Sequence, residues 1–263
     1  MTIYMQTQKR PAQEAPMSEA ERKARVELAA AYRIFDMLGW TEMIFNHITV
    51  RVPGPAVADA ESLRFLINPF GLHYSEITAS SLVLIDIEGD PVRETRWPVN
   101  RAGFVIHSAI HGSIPRAHCV MHTHTTTGIA VACLEEGLSP HNFYGAMLVG
   151  RVAYHEFEGV TVESGEKERL VRDIGDKPAV ILRNHGLLAW GPSVPEAFLM
   201  LWTLQRACDV QISTAKAGAL HPIRPEVFEQ TVREGGPAEK RTCDDTFAAL
   251  QRKLDAIDPS YRD

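Results

Sequence analysis

Residues 116–124 read Arg116-Ala117-His118-Cys119-Val120-Met121-His122-Thr123-His124. The apolar run ending at Met121 reads as a short buried strand. Side chains alternate faces along a strand, so residues two apart point the same way. His122 and His124 therefore lie side by side, and Thr123 faces away from them. Two same-facing imidazoles on a rigid strand form half of a metal site.

The segments around this strand alternate between helix and strand patterns. Ser18 with Glu21 makes a capping box that opens a helix from Glu19 to Leu38, with Gly39 at its end. Ile44 to Val52 is β-branched and stops at Pro53-Gly54-Pro55. Leu63 to Ile67, Leu82 to Ile87, Arg151 to Phe157 and Ala179 to Leu182 are further strands. Phe104 to His111 and Thr126 to Cys133 read as helices on either side of the histidine strand. Ser193 with Glu196 opens a long helix from Ala197 to Ala217, and Gly218 caps it. A last helix is expected from Asp244 to Ile257. The reading is one α/β domain over residues 18–220, a loose arm over 1–17, and a C-terminal extension over 221–263.

Composition narrows the functional classes. The chain has 263 residues, 45% hydrophobic and 23% charged, ordinary values for a globular protein able to bury a core without disulfides. A formal net charge of −6 argues against non-specific nucleic-acid binding. No run of 18 apolar residues points to a membrane span, and Met1 to Met17 lacks the apolar stretch of a signal peptide. The four cysteines (Cys119, Cys133, Cys208 and Cys243) form no CxxC pair, so a cytoplasmic location with reduced thiols is expected.

A third ligand has one good candidate. Arg183-Asn184-His185-Gly186 follows the Ala179–Leu182 strand, and a histidine at a strand end before a glycine that permits a tight turn can face a cleft. Three neutral imidazoles suit Zn²⁺, Fe²⁺, Co²⁺ or Mn²⁺, and they leave a coordination position open, as catalytic sites do. The competing reading is two hydrogen-bonded histidines, in a chain whose 11 histidines supply coincidences.

Five segments in order carry a family resemblance. They are Phe45-Asn46-His47-Ile48-Thr49-Val50-Arg51, Ile67-Asn68-Pro69-Phe70-Gly71, Tyr74-Ser75-Glu76-Ile77-Thr78, the His122/His124 strand, and Arg183-Asn184-His185-Gly186-Leu187. Together they resemble the class II aldolase/adducin family over roughly residues 20 to 220, and Asn68 to Ser81 resembles the adducin-head branch and its bacterial relatives. The resemblance implies a three-layer α/β/α fold around a mainly antiparallel sheet. It also implies a divalent metal held by His122, His124 and His185, with zinc favoured over iron, manganese or cobalt. A small-molecule substrate and a homo-oligomer, tetramer or dimer, are implied as well.

The chain departs from the family's catalytic pattern at several positions. Where the sugar-phosphate aldolases carry two serines and a proton-transferring glutamate, Arg101, Ala102 and Gly103 align. Glycine transfers no proton, so the acid–base group must lie elsewhere. His47 replaces an asparagine of the phosphate loop and is either a packed histidine or a catalytic proton shuttle beside the metal. Thr49 keeps the loop's hydroxyl, Arg51 is retained, and Gly71 lies in a matched segment; Thr49 and Gly71 are candidate substrate-binding positions. Arg101 either pairs with a surface acid or grips a substrate carboxylate. Tyr144 falls near an aromatic residue that in the family reaches a neighbouring subunit's site, and otherwise belongs to the core. Tyr74 and Glu76 either reach a cleft or lie in a solvated loop. His107 matches a histidine of the aldolases and is expected to be structural.

Three functional classes remain. The first is a metal-dependent lyase acting on a small oxo- or hydroxy-acid by aldol cleavage or decarboxylation. The second is a non-haem iron oxygenase or oxidative decarboxylase on the same fold, as in relatives that resemble this chain around Asn100-Arg101-Ala102. The third is a non-catalytic interaction module like the adducin head, a branch that does not keep the histidine pair intact.

Overall fold

The computed structural model describes residues 17–52, 63–99, 101–159, 165–234 and 238–263. The side chains of residues 101–103 are outside that description. So are residues 1–16, which make up nearly all of the expected arm.

Seven strands of the described residues form one sheet: β1 Ile48–Val52, β2 Arg64–Ile67, β3 Val83–Ile85, β4 Cys119–Thr123, β5 Val152–His155, β6 Ala179–Leu182 and β7 Gly186–Gly191. Their order is β3-β2-β1-β4-β7-β6-β5. Every neighbouring pair is antiparallel except β5 with β6. Among the described residues, eight α-helices flank the sheet: α1 Glu19–Met37, α2 Arg101–Ser113, α3 Thr126–Ala132, α4 Phe143–Met147, α5 Glu166–Ile174, α6 Val194–Ala217, α7 Pro225–Glu234 and α8 Lys240–Ile257.

Alternation along the strands builds the three layers. Ile48, Val50, Cys119, Met121, Ile181 and Leu187 pack in one core with Leu28 and Phe35 of α1, Phe198 of α6 and Phe247 of α8. The residues between them turn the other way, so Val120, Val180 and Leu188 pack with Ile110 of α2 and Leu170 of α5. Helices α1 and α6 carry the caps their sequences indicate, while α2 and α8 begin three and four residues earlier than read. The Ser18 side chain accepts from the Glu21 amide. The Trp40 amide reaches back to the Phe35 carbonyl while Gly39 takes φ +72°, a Schellman ending. Ser193 accepts from the Glu196 amide, and Gly218 caps α6.

Two expectations need correction. The strand read from Ile44 begins only at Ile48. Met43 (φ +51°) and Asn46 (φ +65°) are left-handed, and Glu42 bridges to Phe45. Asparagine tolerates that conformation, and the tight turn leaves His47 at the mouth of β1. The C-terminal residues, expected as an extension with a helix, pack against the body of the domain. Phe247 meets Phe198 at 5.7 Å, Tyr261 is buried, and the Ala79 and Ser80 amides donate to the carbonyl oxygens of Tyr261 and Asp263. Tyr74 is also core: it is fully buried, with its ring edge-on to Tyr32 at 4.6 Å, while Glu76 caps the adjacent turn through the His73 amide.

Candidate metal centre

The sheet topology brings the histidines together. Because β4 runs antiparallel to both β1 and β7, the start of β1, the end of β4 and the start of β7 share one edge of the sheet. The ends of β6 and β5 lie on the same edge. His47, His122, His124, His185 and His155 occupy these positions and line a cavity of about 630 Å³.

The ligand nitrogens of His122, His124 and His185 lie within 4.8 Å of one another. His124 falls one residue beyond β4, yet its Nε2 is 2.7 Å from that of His122. Nitrogens this close share a proton, whose place a cation can take. His122 Nδ1–H donates to the Leu187 carbonyl at 2.8 Å, which fixes the tautomer and leaves Nε2 as the donor atom. Burial, followed by the neighbouring imidazoles, pushes His122 well below its ordinary pKa. Burial lowers His124, and burial with His124 lowers His185 to about 4. All three rings are therefore neutral near pH 7, the form that binds metal.

The turn that presents His185 differs from its sequence reading. Asn184 (φ +56°), not Gly186, adopts the left-handed conformation. Gly186 serves close approach: a Cβ there would collide with the Thr123 carbonyl and press on the His124 ring at 3.0 Å. The glycine thus lets β7 lie against the histidine end of β4.

The other expected site residues separate. His47 is buried in the cavity wall, its ring 4.0 Å from that of His107 and 6.3 Å from that of His122. Thr49 is fully buried, and its hydroxyl lies 2.7 Å from both His107 Nδ1 and His111 Nε2. Arg51 is spent on the carbonyl oxygens of Pro115 and His111. Gly71 (φ +105°) is exposed and outside the cavity lining, which Phe70 reaches instead. Tyr144 packs edge-on to Trp202 at 5.6 Å and lines a second cavity of about 750 Å³. The Arg101 side chain lies outside the described residues.

Two wall residues escaped the sequence reading. His155 Nδ1–H donates to Asp173 of α5 at 2.8 Å, tying β5 to that helix. Phe157 places its ring 6.2 Å from His185. The alternation Val152–His155 marks a strand, but nothing local marks Asp173 as a partner.

The comparisons with known proteins agree with this geometry. The family model "Class II Aldolase and Adducin N-terminal domain" matches residues 26–212. The chain belongs to this class II aldolase/adducin family. A solved aldolase II superfamily protein from Pseudomonas syringae is 43% identical, with a TM-score of 0.88, and the match covers 94% of this chain and 98% of that one. The L-fuculose 1-phosphate aldolase of Glaciozyma antarctica PI12 is 29% identical at a TM-score of 0.78, covering 95% and 97%. Alpha-adducin of Rattus norvegicus is 41% identical over 255 residues, 91% of this chain but only 34% of that protein. The expected layered α/β fold is therefore the family's own. Class II aldolases generally depend on a divalent metal, and this chain presents a histidine set of suitable chemistry. No described helix is long and apolar enough to cross a membrane.

Proposed function

We propose that this family member is a metal-dependent lyase that cleaves a small oxo- or hydroxy-acid by aldol cleavage or decarboxylation, and that it works as a homo-oligomer, tetramer or dimer. The observation that carries the reading is the set of three neutral imidazoles, His122, His124 and His185, in the wall of one cavity. A bound divalent ion, zinc first and iron, manganese or cobalt as alternatives, would supply Lewis-acid polarisation of a carbonyl. His122 would be held for this by its bond to the Leu187 carbonyl.

The chain's own residues supply the rest. His47 would hand a proton to the carbon end of the cleaved bond, since its ring lies in the cavity wall near His122. Arg101, at the first turn of α2, would receive the substrate carboxylate as a planar guanidinium fork. Phe45, Phe70 and Phe157 line the cavity and would exclude water from the reacting carbons. With Gly103 in α2, no carboxylate stands where the family's sugar-phosphate aldolases place one.

The test is metal analysis of protein purified without chelator, followed by anaerobic assay against a panel of oxo- and hydroxy-acids. Zinc or manganese near one per chain, with turnover, supports the lyase. Iron with O₂ consumption would replace it by an oxygenase. His122→Ala is expected to lose both metal and turnover. An absence of metal, with His122→Ala unchanged in stability, would sink the reading.

A further inference from the structure

We propose that His107 is the proton acceptor of the histidine cavity, and that Thr49 and His111 are positioning residues that hold its Nε2 open as a lone pair. The proposal rests on the lyase reading and names the group that does the work lost at position 103.

The chemistry of three contacts fixes the direction of every hydrogen. His111 Nδ1 lies 2.8 Å from the Ala117 carbonyl oxygen. A carbonyl only accepts, so His111 Nδ1 carries the hydrogen, and in a neutral imidazole Nε2 is then an acceptor. Thr49 has a single hydroxyl hydrogen, and it goes to His111 Nε2 at 2.7 Å. The same oxygen must then accept from His107 Nδ1–H, also at 2.7 Å. His107 is left with a bare Nε2.

That nitrogen is buried and has no hydrogen-bond partner among the described residues. Its ring lines the metal cavity and faces the His47 ring at 4.0 Å. An acceptor taken out of water without a donor is costly, and the hydroxyl of a substrate would relieve that cost. A clamp holding α2 to β1 accounts for His107 Nδ1 and His111 Nε2, but it leaves the buried His107 Nε2 without a use. Burial, with the neighbouring histidines, keeps His107 neutral, so the lone pair is open before substrate arrives.

In an aldol cleavage the steps balance. The O–H bond of the substrate's β-hydroxyl breaks and an N–H bond forms at His107 Nε2. The oxygen's electron pair becomes a carbonyl as the C–C bond breaks, and the C–C pair passes into the enolate on the other fragment. The proton moves from His107 to the adjacent His47 ring, which returns it to the enolate carbon. No net proton or electron is consumed.

The first arm of the test needs no turnover. Long-range ¹⁵N–¹H correlation on histidine-labelled, zinc-loaded protein should show Nδ1–H tautomers for both His107 and His111. Thr49→Val should leave His107 in mixed tautomers, and Thr49→Ser should restore the single form. An Nε2–H tautomer at His107 in the wild type, or no change in Thr49→Val, overturns the proposal. The second arm follows cleavage of a panel of 4-hydroxy-2-oxo acids, the step in which the hydroxyl loses its proton. His107→Asn, whose amide can still donate to Thr49 but accepts no proton, should slow cleavage at least 100-fold with zinc content and Tm retained. Cleavage within threefold of wild type would overturn the acceptor role while the lyase reading stands. No cleavage by the wild type would overturn the oxo-acid lyase reading, and the acceptor role with it, while leaving the tautomer lock intact.

Discussion

The two faces of β1 and β4 use the same backbone for opposite purposes. Toward α1, α6 and α8 the strands present Ile48, Val50, Cys119 and Met121, which join a large apolar core. Toward α2 they present Thr49 and His122, both buried and both hydrogen-bonded in a fixed order. The first face gains stability from area removed from water and needs no particular partner for any atom. The second gives up part of that gain by burying polar atoms, and each must then be satisfied. Stability and chemistry are thus separated by the pleat of a single pair of strands.

This separation can be tested by perturbing each face. The largest expected effect comes from acid on the polar face. Burial lowers His111 to about 3 and holds His107 well below its ordinary value. An unfolded chain takes up these protons near pH 6.5, so between pH 6.5 and 3 it binds more protons than the folded one. Stability is therefore complete above pH 6.5 and falls as pH decreases. At about 1.4 kcal/mol per unit, His111 alone corresponds to about 5 kcal/mol, measurable as a loss in urea midpoint. A flat profile over this window would mean the polar face is not dry.

Phe198→Ala probes the apolar face. Phe198 is buried against Phe35, Trp40 and Phe247, and its truncation should cost about 3–5 kcal/mol. Zinc affinity, measured by competition with a chromogenic chelator, should stay within threefold; a large loss would show that the two faces are coupled. Gly186→Ala is the opposite case. The added methyl forces the Thr123 carbonyl and the His124 ring apart, so a cost of about 1–3 kcal/mol should come with a tenfold or greater loss of zinc affinity. Asp173→Asn should have the smallest effect, about 1 kcal/mol for weakening the bond to His155, with zinc binding unchanged.

The apolar face was largely legible in the sequence. Strand alternation and the boxes Ser18/Glu21 and Ser193/Glu196 are local signals, and the structure keeps them. Helix α5 was not, because Glu166–Ile174 buries few apolar residues on a charged background. Strand β7 went unassigned because it is a short run bounded by Gly186 and Gly191. The resemblance named His122, His124 and His185, and the fold brings them together. It left His107 as structural and gave Thr49 to substrate, because bonds from Thr49 to residues 58 and 62 positions away leave no mark in local pattern. Side-chain partnership across a sheet edge is a tertiary property, and one sequence read alone does not contain it.

The Gly186 approach also bears on how the chain folds. His122 and His185 come together only when β7 has docked on β4, which closes a loop of roughly sixty residues and pays its entropy before any contact repays it. Tight metal binding should therefore appear late in refolding, in step with the closed sheet rather than with early helix formation. A nascent or partly unfolded chain would hold its histidines apart and give up the ion, so occupancy of the site would report completion of the whole fold.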